Sequence, residues 1–202
     1  TWEGDVHVGG GVYCSGPADL SITNTNIIAN YADYGGGLAA ENCNVTMDAV
    51  HLSLNETLVE SGGYCPAALT IGGGSHHIAN SQISQNAGLY SGGLCMGSTD
   101  ETALSLTMDN VQVYENHMEM GGYGHMYLFG DYDEPSAKKT IHLNDTTFFD
   151  NTLGPGINNS DYSVINISAG EINLNWTASK DEASGLYGND ASGLTIDSNY
   201  EI

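Results

Sequence analysis

The sequence predicts an all-β chain folded as a right-handed parallel β-helix of about seven coils, and three observations carry that expectation. First, a ten-residue window ending in asparagine recurs without a gap. Second, a glycine pair followed by an apolar or small run comes five to seven residues after most of these asparagines. Third, the 202 residues include 27 Gly and only 4 Pro, and the apolar runs are short, which is the composition of many short strands joined by tight turns.

The windows are Ser21 to Asn30, Thr46 to Asn55, His77 to Asn86, Thr107 to Asn116 and His142 to Asn151. Their second column reads Ile22, Met47, Ile78, Met108 and Leu143, and their seventh Ile27, Leu52, Ile83, Val113 and Phe148. Fixed apolar columns with polar pairs between them, such as Thr23-Asn24 and Asp109-Asn110, predict strand, two-residue corner, strand. Two weaker copies are expected around Ile172 with Asn175 and Ile196 with Asn199.

The glycine pairs are Gly36-Gly37-Leu38, Gly62-Gly63-Tyr64, Gly92-Gly93-Leu94 and Gly121-Gly122-Tyr123; Gly10-Gly11-Val12 opens the series and Gly154-Pro155-Gly156-Ile157 is a degenerate copy. The repeat is thus about 24 to 35 residues, with three strands in each.

Such a unit cannot bury its apolar side alone, but stacking unit on unit buries a continuous column. At about 4.8 Å per coil, seven coils give a rod about 30 Å long. Asn30, Asn55, Asn86, Asn116 and Asn151 are expected at a left-handed corner, their amides bonded up and down a ladder. The glycine pairs are expected to supply positive φ at a second corner. A sandwich or jelly roll would also give short strands, but its strands need not align column by column. Residues 1–202 are read as one segment of a longer protein, most regular over 9–157 and less so from Tyr132 on.

Charge restricts the partners. There are 25 Asp and Glu against 3 Lys and Arg, giving a net charge of −22. That field repels nucleic acid and anionic membranes, and no stretch approaches the length of a membrane helix. Cations, neutral glycans and protein surfaces are the partners it permits. Thr1-Trp2-Glu3-Gly4-Asp5 does not read as a signal peptide.

Cys14, Cys43, Cys65 and Cys95 form no Cys-x-x-Cys pair, which argues for two disulfides in an oxidising compartment rather than a zinc site. Cys65 and Cys95 stand at the same offset from their glycine pairs and are expected to stack and bond; Cys14–Cys43 follows by elimination. Asn-x-Ser/Thr sequons occur at Asn44, Asn55, Asn144, Asn158, Asn166 and Asn175. Asn55 and Asn175 are read as ladder members and therefore unmodified. Asn44, Asn144, Asn158 and Asn166 are the acceptor candidates, with Asn44, beside Cys43, the foremost.

Ile27-x-x-Asn30 with Gly36-Gly37-Leu38, Leu52-x-x-Asn55 with Gly62-Gly63-Tyr64, Ile83-x-x-Asn86 with Gly92-Gly93-Leu94, and Val113-x-x-Asn116 with Gly121-Gly122-Tyr123 recur in phase, and Phe148-x-x-Asn151 follows. This resembles the repeats of the polymorphic outer membrane proteins and related β-helical surface proteins, where the motifs appear as FxxN and as GGA followed by Ile, Val or Leu. The resemblance spans roughly residues 9–157. Only one first position is Phe, and there is no sign of a membrane-barrel translocator. The repeats are also similar to those of eukaryotic extracellular filament proteins such as mastigoneme shafts. The resemblance implies an extracellular role in adhesion, surface display or filament architecture, and names no ligand.

Other chemistry is weighed against that role. His76, His77, His117, His125 and His142 include two, His77 and His142, that share the first window column, so the coil sets their spacing and they read as solvated strand positions. Asp131, Asp133 and Glu134 form an acidic loop without the full oxygen spacing of a calcium site and read as a solvated loop. The rival reading is a carbohydrate-active β-helix enzyme, a lyase or glycoside hydrolase, since carboxylate pairs are plentiful. Lyase chemistry of that kind leans on cations, and the only ones here are Lys138, Lys139 and Lys180. No catalytic residue, cofactor or metal is assigned. The expected partners are other copies or other surface proteins, bound end to end or laterally, and glycans.

Overall fold

The structure, a computed structural model, describes residues 8–57, 67–89, 91–98, 103–119, 126–130, 139–153, 165–168, 172–177, 186–189 and 195–197. The first repeat holds β1 Val12–Ser15, β2 Asp19–Thr23, β3 Asn26–Ile28 and β4 Tyr31–Ala32. The second holds β5 Leu38–Glu41, β6 Asn44–Asp48, β7 His51–Ser53 and β8 Glu56–Thr57, and the third β9 Leu69–Gly72, β10 Gly74–Ala79, β11 Gln82–Ser84 and β12 Ala87–Gly88. The fourth holds β13 Leu94–Ser98, β14 Leu104–Asp109, β15 Gln112–Tyr114 and β16 His117–Met118, and the fifth β17 Met126–Gly130, β18 Lys139–Asn144, β19 Thr147–Phe149 and β20 Thr152–Leu153. Beyond them come β21 Ile165–Ser168 and β22 Ile172–Thr177, then β23 Leu186–Asn189 and β24 Thr195–Asp197. Each of the first five repeats therefore has four strands rather than the expected three, the extra one being the two-residue strand after the ladder asparagine.

Each sheet takes one strand from each successive repeat. Two sheets have seven strands, ordered β1-β5-β9-β13-β17-β21-β23 and β2-β6-β10-β14-β18-β22-β24. Two have five, β3-β7-β11-β15-β19 and β4-β8-β12-β16-β20. The pairings are parallel, as in Ile22↔Met47, Met47↔Ile78, Ile78↔Met108 and Met108↔Leu143. An all-β chain of parallel sheets stacked in register, without a helix among the described residues, is consistent with a parallel β-helix.

The core follows from the two-residue period of a strand. Burial alternates along β6 and β14, turning the second-column residues inward, and the seventh column lines the third sheet. A third inward column, Leu38, Leu69, Leu94 and Met126, comes from the first sheet. All three join one apolar cluster, in which each fully buried side chain contributes roughly 1.5–3 kcal/mol.

The corners differ from the sequence reading in two ways. Positive φ falls on Asn24, Ala49, Asn80, Asn110 and Asp145 at one corner, and at the next on Ala29, Leu54, Gln85, Glu115 and Asp150. The second set stands immediately before the ladder asparagines, which are not themselves left-handed. Nor do the glycine pairs exist for positive φ: Gly35 has it, at +58°, but Gly36 and Gly37 do not. They are needed for close approach. A Cβ on Gly36 would lie 2.6 Å from the Glu56 carbonyl oxygen, and one on Gly37 2.9 Å from Asn55 Nδ2.

The third repeat opens on Ala67-Ala68-Leu69, not on Gly62-Gly63-Tyr64. Gly36 N donates to Ala67 O at 3.1 Å, Gly37 N to Ala68 O at 2.9 Å, and Leu69 is in register with both Leu38 and Leu94. Alanine is small enough to meet the need the glycines meet elsewhere. Gly62, Gly63 and Tyr64 lie outside the described residues. The late copies are also displaced: Trp176, not Ile172, stands opposite Leu143, and Asn175 stands opposite His142, away from the ladder column. Ile196 pairs with Leu174, and Asn199 lies outside the described residues.

Candidate functional site

The feature that distinguishes this molecule is its stacked amides. Asn30 donates through its backbone N and Nδ2 to Asn55 Oδ1 at 3.1 and 2.9 Å. Asn55 does the same to Asn86 at 2.9 and 3.0 Å, Asn86 to Asn116 at 3.1 and 2.9 Å, and Asn116 to Asn151 at 3.0 and 3.1 Å. Nδ2 of Asn55, Asn86, Asn116 and Asn151 also donates the other way, to the carbonyl of the seventh-column residue in the preceding repeat: Ile27, Leu52, Ile83 and Val113, at 2.9, 3.0, 2.9 and 2.9 Å. Asn55, Asn86 and Asn116 are at most 1% exposed, so these bonds are made in a low-dielectric interior where an unmade one is costly.

A second amide column runs outside, along the first corner. Asn80 Nδ2 donates to Asp48 Oδ1 at 2.8 Å and Asn110 Nδ2 to Asn80 Oδ1 at 3.0 Å. Nearby, Asp109 accepts from Asn144 Nδ2 at 2.7 Å and meets His77 Nε2 at 2.7 Å. The Asn144 bond, aided by His77, holds the Asp109 carboxyl below the usual carboxylate range. His142, opposite Thr107 and so two repeats further along from His77, adds a smaller pull in the same direction.

Of the cysteines, Cys14 and Cys43 bridge the first two repeats, with an S–S distance of 2.06 Å and a Cα–Cα distance of 6.2 Å. Cys95 is also disulfide-bonded. Its register neighbour in the preceding repeat is Thr70, and Cys65 lies outside the described residues.

Of the sequons, Asn44 is exposed on β6 and donates from Nδ2 to Asp19 Oδ1 at 2.8 Å while its Oδ1 accepts from Ser75 N at 2.9 Å. Asn144 is half-buried, and Asn55 is fully buried. Asn166 lies in β21 opposite Tyr127, and Asn158 lies outside the described residues. So do His125 and the acidic loop of Asp131, Asp133 and Glu134.

Two buried polar side chains that each leave an atom unpartnered escaped the sequence reading. His76 is not a solvated strand position: it is 3% exposed, in the inward column between Val45 and Leu106. Its Nε2 carries a hydrogen to Gly73 O at 2.8 Å, and its Nδ1 has no partner. Burial lowers its pKa, partly offset by that carbonyl. The signal was strand parity, since His76 stands two residues before the inward Ile78. Thr57, fully buried, leaves its Oγ1 unpartnered.

Among the described residues, no three His, Cys, Asp or Glu side chains converge to hold a metal ion. Comparison with family models, curated proteins and solved structures gave no match.

Proposed function

We propose that this chain is a right-handed parallel β-helix of about seven coils serving outside the cell as a structural or adhesive surface module, a rigid, acidic, disulfide-linked and glycosylated rod. The observation that supports it is the inner asparagine ladder. Four consecutive rung-to-rung steps, each made of two donors into one oxygen, bind five repeats into one body. That is a device for axial stiffness.

The ladder is open at its first rung, since no described residue donates to Asn30 Oδ1. A further asparagine-bearing repeat, in another copy or another surface protein of this kind, supplies the missing donors at Asn30. End-to-end association is therefore the partner mode proposed. The cystine fits an oxidising compartment, and the FxxN-like repeats fit adhesion or filament architecture.

Sedimentation velocity on the full chain over a concentration series, with electron microscopy of the same samples, tests the proposal. Rods that lengthen with concentration are expected. A species that stays strictly monomeric at every concentration contradicts it.

A further inference from the structure

We infer that Asn44 carries an N-linked glycan in the mature protein, and that the ladder excludes one from Asn55 in any folded molecule. The inference rests on the extracellular placement proposed above and on a count of hydrogens at each acceptor nitrogen.

An asparagine Nδ2 has two hydrogens, and glycosylation consumes one of them. In the transfer, Nδ2 bonds to the anomeric carbon of an oligosaccharide carried on a lipid diphosphate. The anomeric C–O bond breaks, the diphosphate leaves with the electron pair, and Nδ2 gives up one proton. The product keeps one N–H and an intact Oδ1.

Asn55 has no hydrogen to give. Its Nδ2 donates to Ile27 O at 2.9 Å and to Asn86 Oδ1 at 3.0 Å, and it is 0% exposed. A glycan there breaks one of the two bonds and has no exit from the core. Asn44 differs on both counts. Its Nδ2 donates once, to Asp19 at 2.8 Å, and its Oδ1 accepts once, from Ser75 N at 2.9 Å. The glycosylated residue keeps both bonds, which link three repeats, while the sugar takes the position of the unspent hydrogen on an exposed strand face. Thr46, the third residue of the sequon, is exposed on the same face. Asn144 also spends one Nδ2 hydrogen, on Asp109, but is half-buried, so it ranks second.

Transfer precedes folding, so the fold acts as a filter on the product. A chain glycosylated at Asn55 cannot close the ladder and is retained; one glycosylated at Asn44 folds and is released. The test is expression of the full chain in a eukaryotic secretory host, with site-resolved glycopeptide mass spectrometry on the secreted and retained fractions. Most secreted molecules should carry sugar at Asn44 and none at Asn55. T46A, which removes the sequon but not the Asn44 amide, should lose one glycan, whereas T57V should leave the secreted pattern unchanged.

A bare Asn44 in the secreted chain, or folded secreted chain with sugar on Asn55, overturns the inference. Should all of the chain be retained, the retained peptides decide it: sugar at Asn44 supports it and a bare Asn44 overturns it. The host reads the geometry alone. Whether the native compartment glycosylates is read separately, on material from the native source, so failure there strikes the extracellular placement and not the hydrogen count.

Discussion

The inner and outer amide columns use the same residue type at the same spacing to different effect. Inside, Asn86 takes part in five hydrogen bonds that involve a side-chain amide and is 1% exposed. Outside, Asn80 joins two side-chain bonds, to Asp48 and Asn110, and stands in water. Water replaces the partners of the outer amide as soon as they are lost, and cannot reach those of the inner one. Desolvation, rather than the number of asparagines, decides which column holds the repeats together.

The sharpest way to break that comparison is to truncate one residue from each column. Asn86→Ala strands Asn55 N and Leu52 O in the core and should cost about 4 kcal/mol, read by chemical denaturation. Asn80→Ala should cost about 1 kcal/mol, mostly for a left-handed φ that Ala49 already tolerates in the repeat before. Equal losses would mean that burial does not separate the two columns.

Next in size is the small-residue corner that lets the inner column close. Gly36→Ala drives a Cβ against the Glu56 carbonyl and should cost about 2–3 kcal/mol. Ala67→Gly, at the same place in the third repeat, should cost about 1 kcal/mol in the same denaturation measurement. The pair separates a steric requirement of one repeat from a property of the whole column.

A third prediction concerns pH. The folded-state pKa of His76 is lowered by burial, so between that value and the ordinary 6.5 the unfolded chain binds the extra proton. Its contribution is therefore fully present above pH 6.5 and lost as pH falls below it, with a slope of at most about 1.4 kcal/mol per pH unit. Asp109, also lowered, acts only below its ordinary 3.8. His76→Leu, which continues the column of Val45 and Leu106, should abolish the slope that sets in below pH 6.5 in a pH series of denaturation curves. A slope unchanged in the variant would place the titrating group elsewhere.

The smallest effect is expected at Thr57, whose hydroxyl is buried without a partner. Thr57→Val should raise stability by about 1 kcal/mol, measured as a shift of the denaturation midpoint at constant slope.

The parts of this fold legible in the sequence were those where one residue type meets one physical demand. The apolar second and seventh columns, Ile22 to Leu143 and Ile27 to Phe148, face one core, and the five asparagines fill one niche. What was not legible was any demand that several residue types can meet. Positive φ is expected at the ladder asparagines, yet Ala29, Leu54, Gln85, Glu115 and Asp150, one residue earlier, adopt it. The glycine pairs are expected to supply positive φ, yet Gly36 and Gly37 lack it and supply smallness, a need that Ala67-Ala68 meets in the third repeat. Asn175 looked like a rung, but register places it on a strand opposite His142. Of the candidate site, the ladder's membership could be read from the sequence and its hydrogen count could not, because that depends on which carbonyl stands above each amide.

Side-chain amide hydrogen exchange, followed by NMR on the native chain, tests the ladder most directly. The Nδ2 hydrogens of Asn55, Asn86 and Asn116 should exchange only through global unfolding, while those of Asn80 and Asn110 exchange at rates close to free amides. Inner amides that exchange as fast as the outer ones would contradict a ladder that binds the repeats into one body.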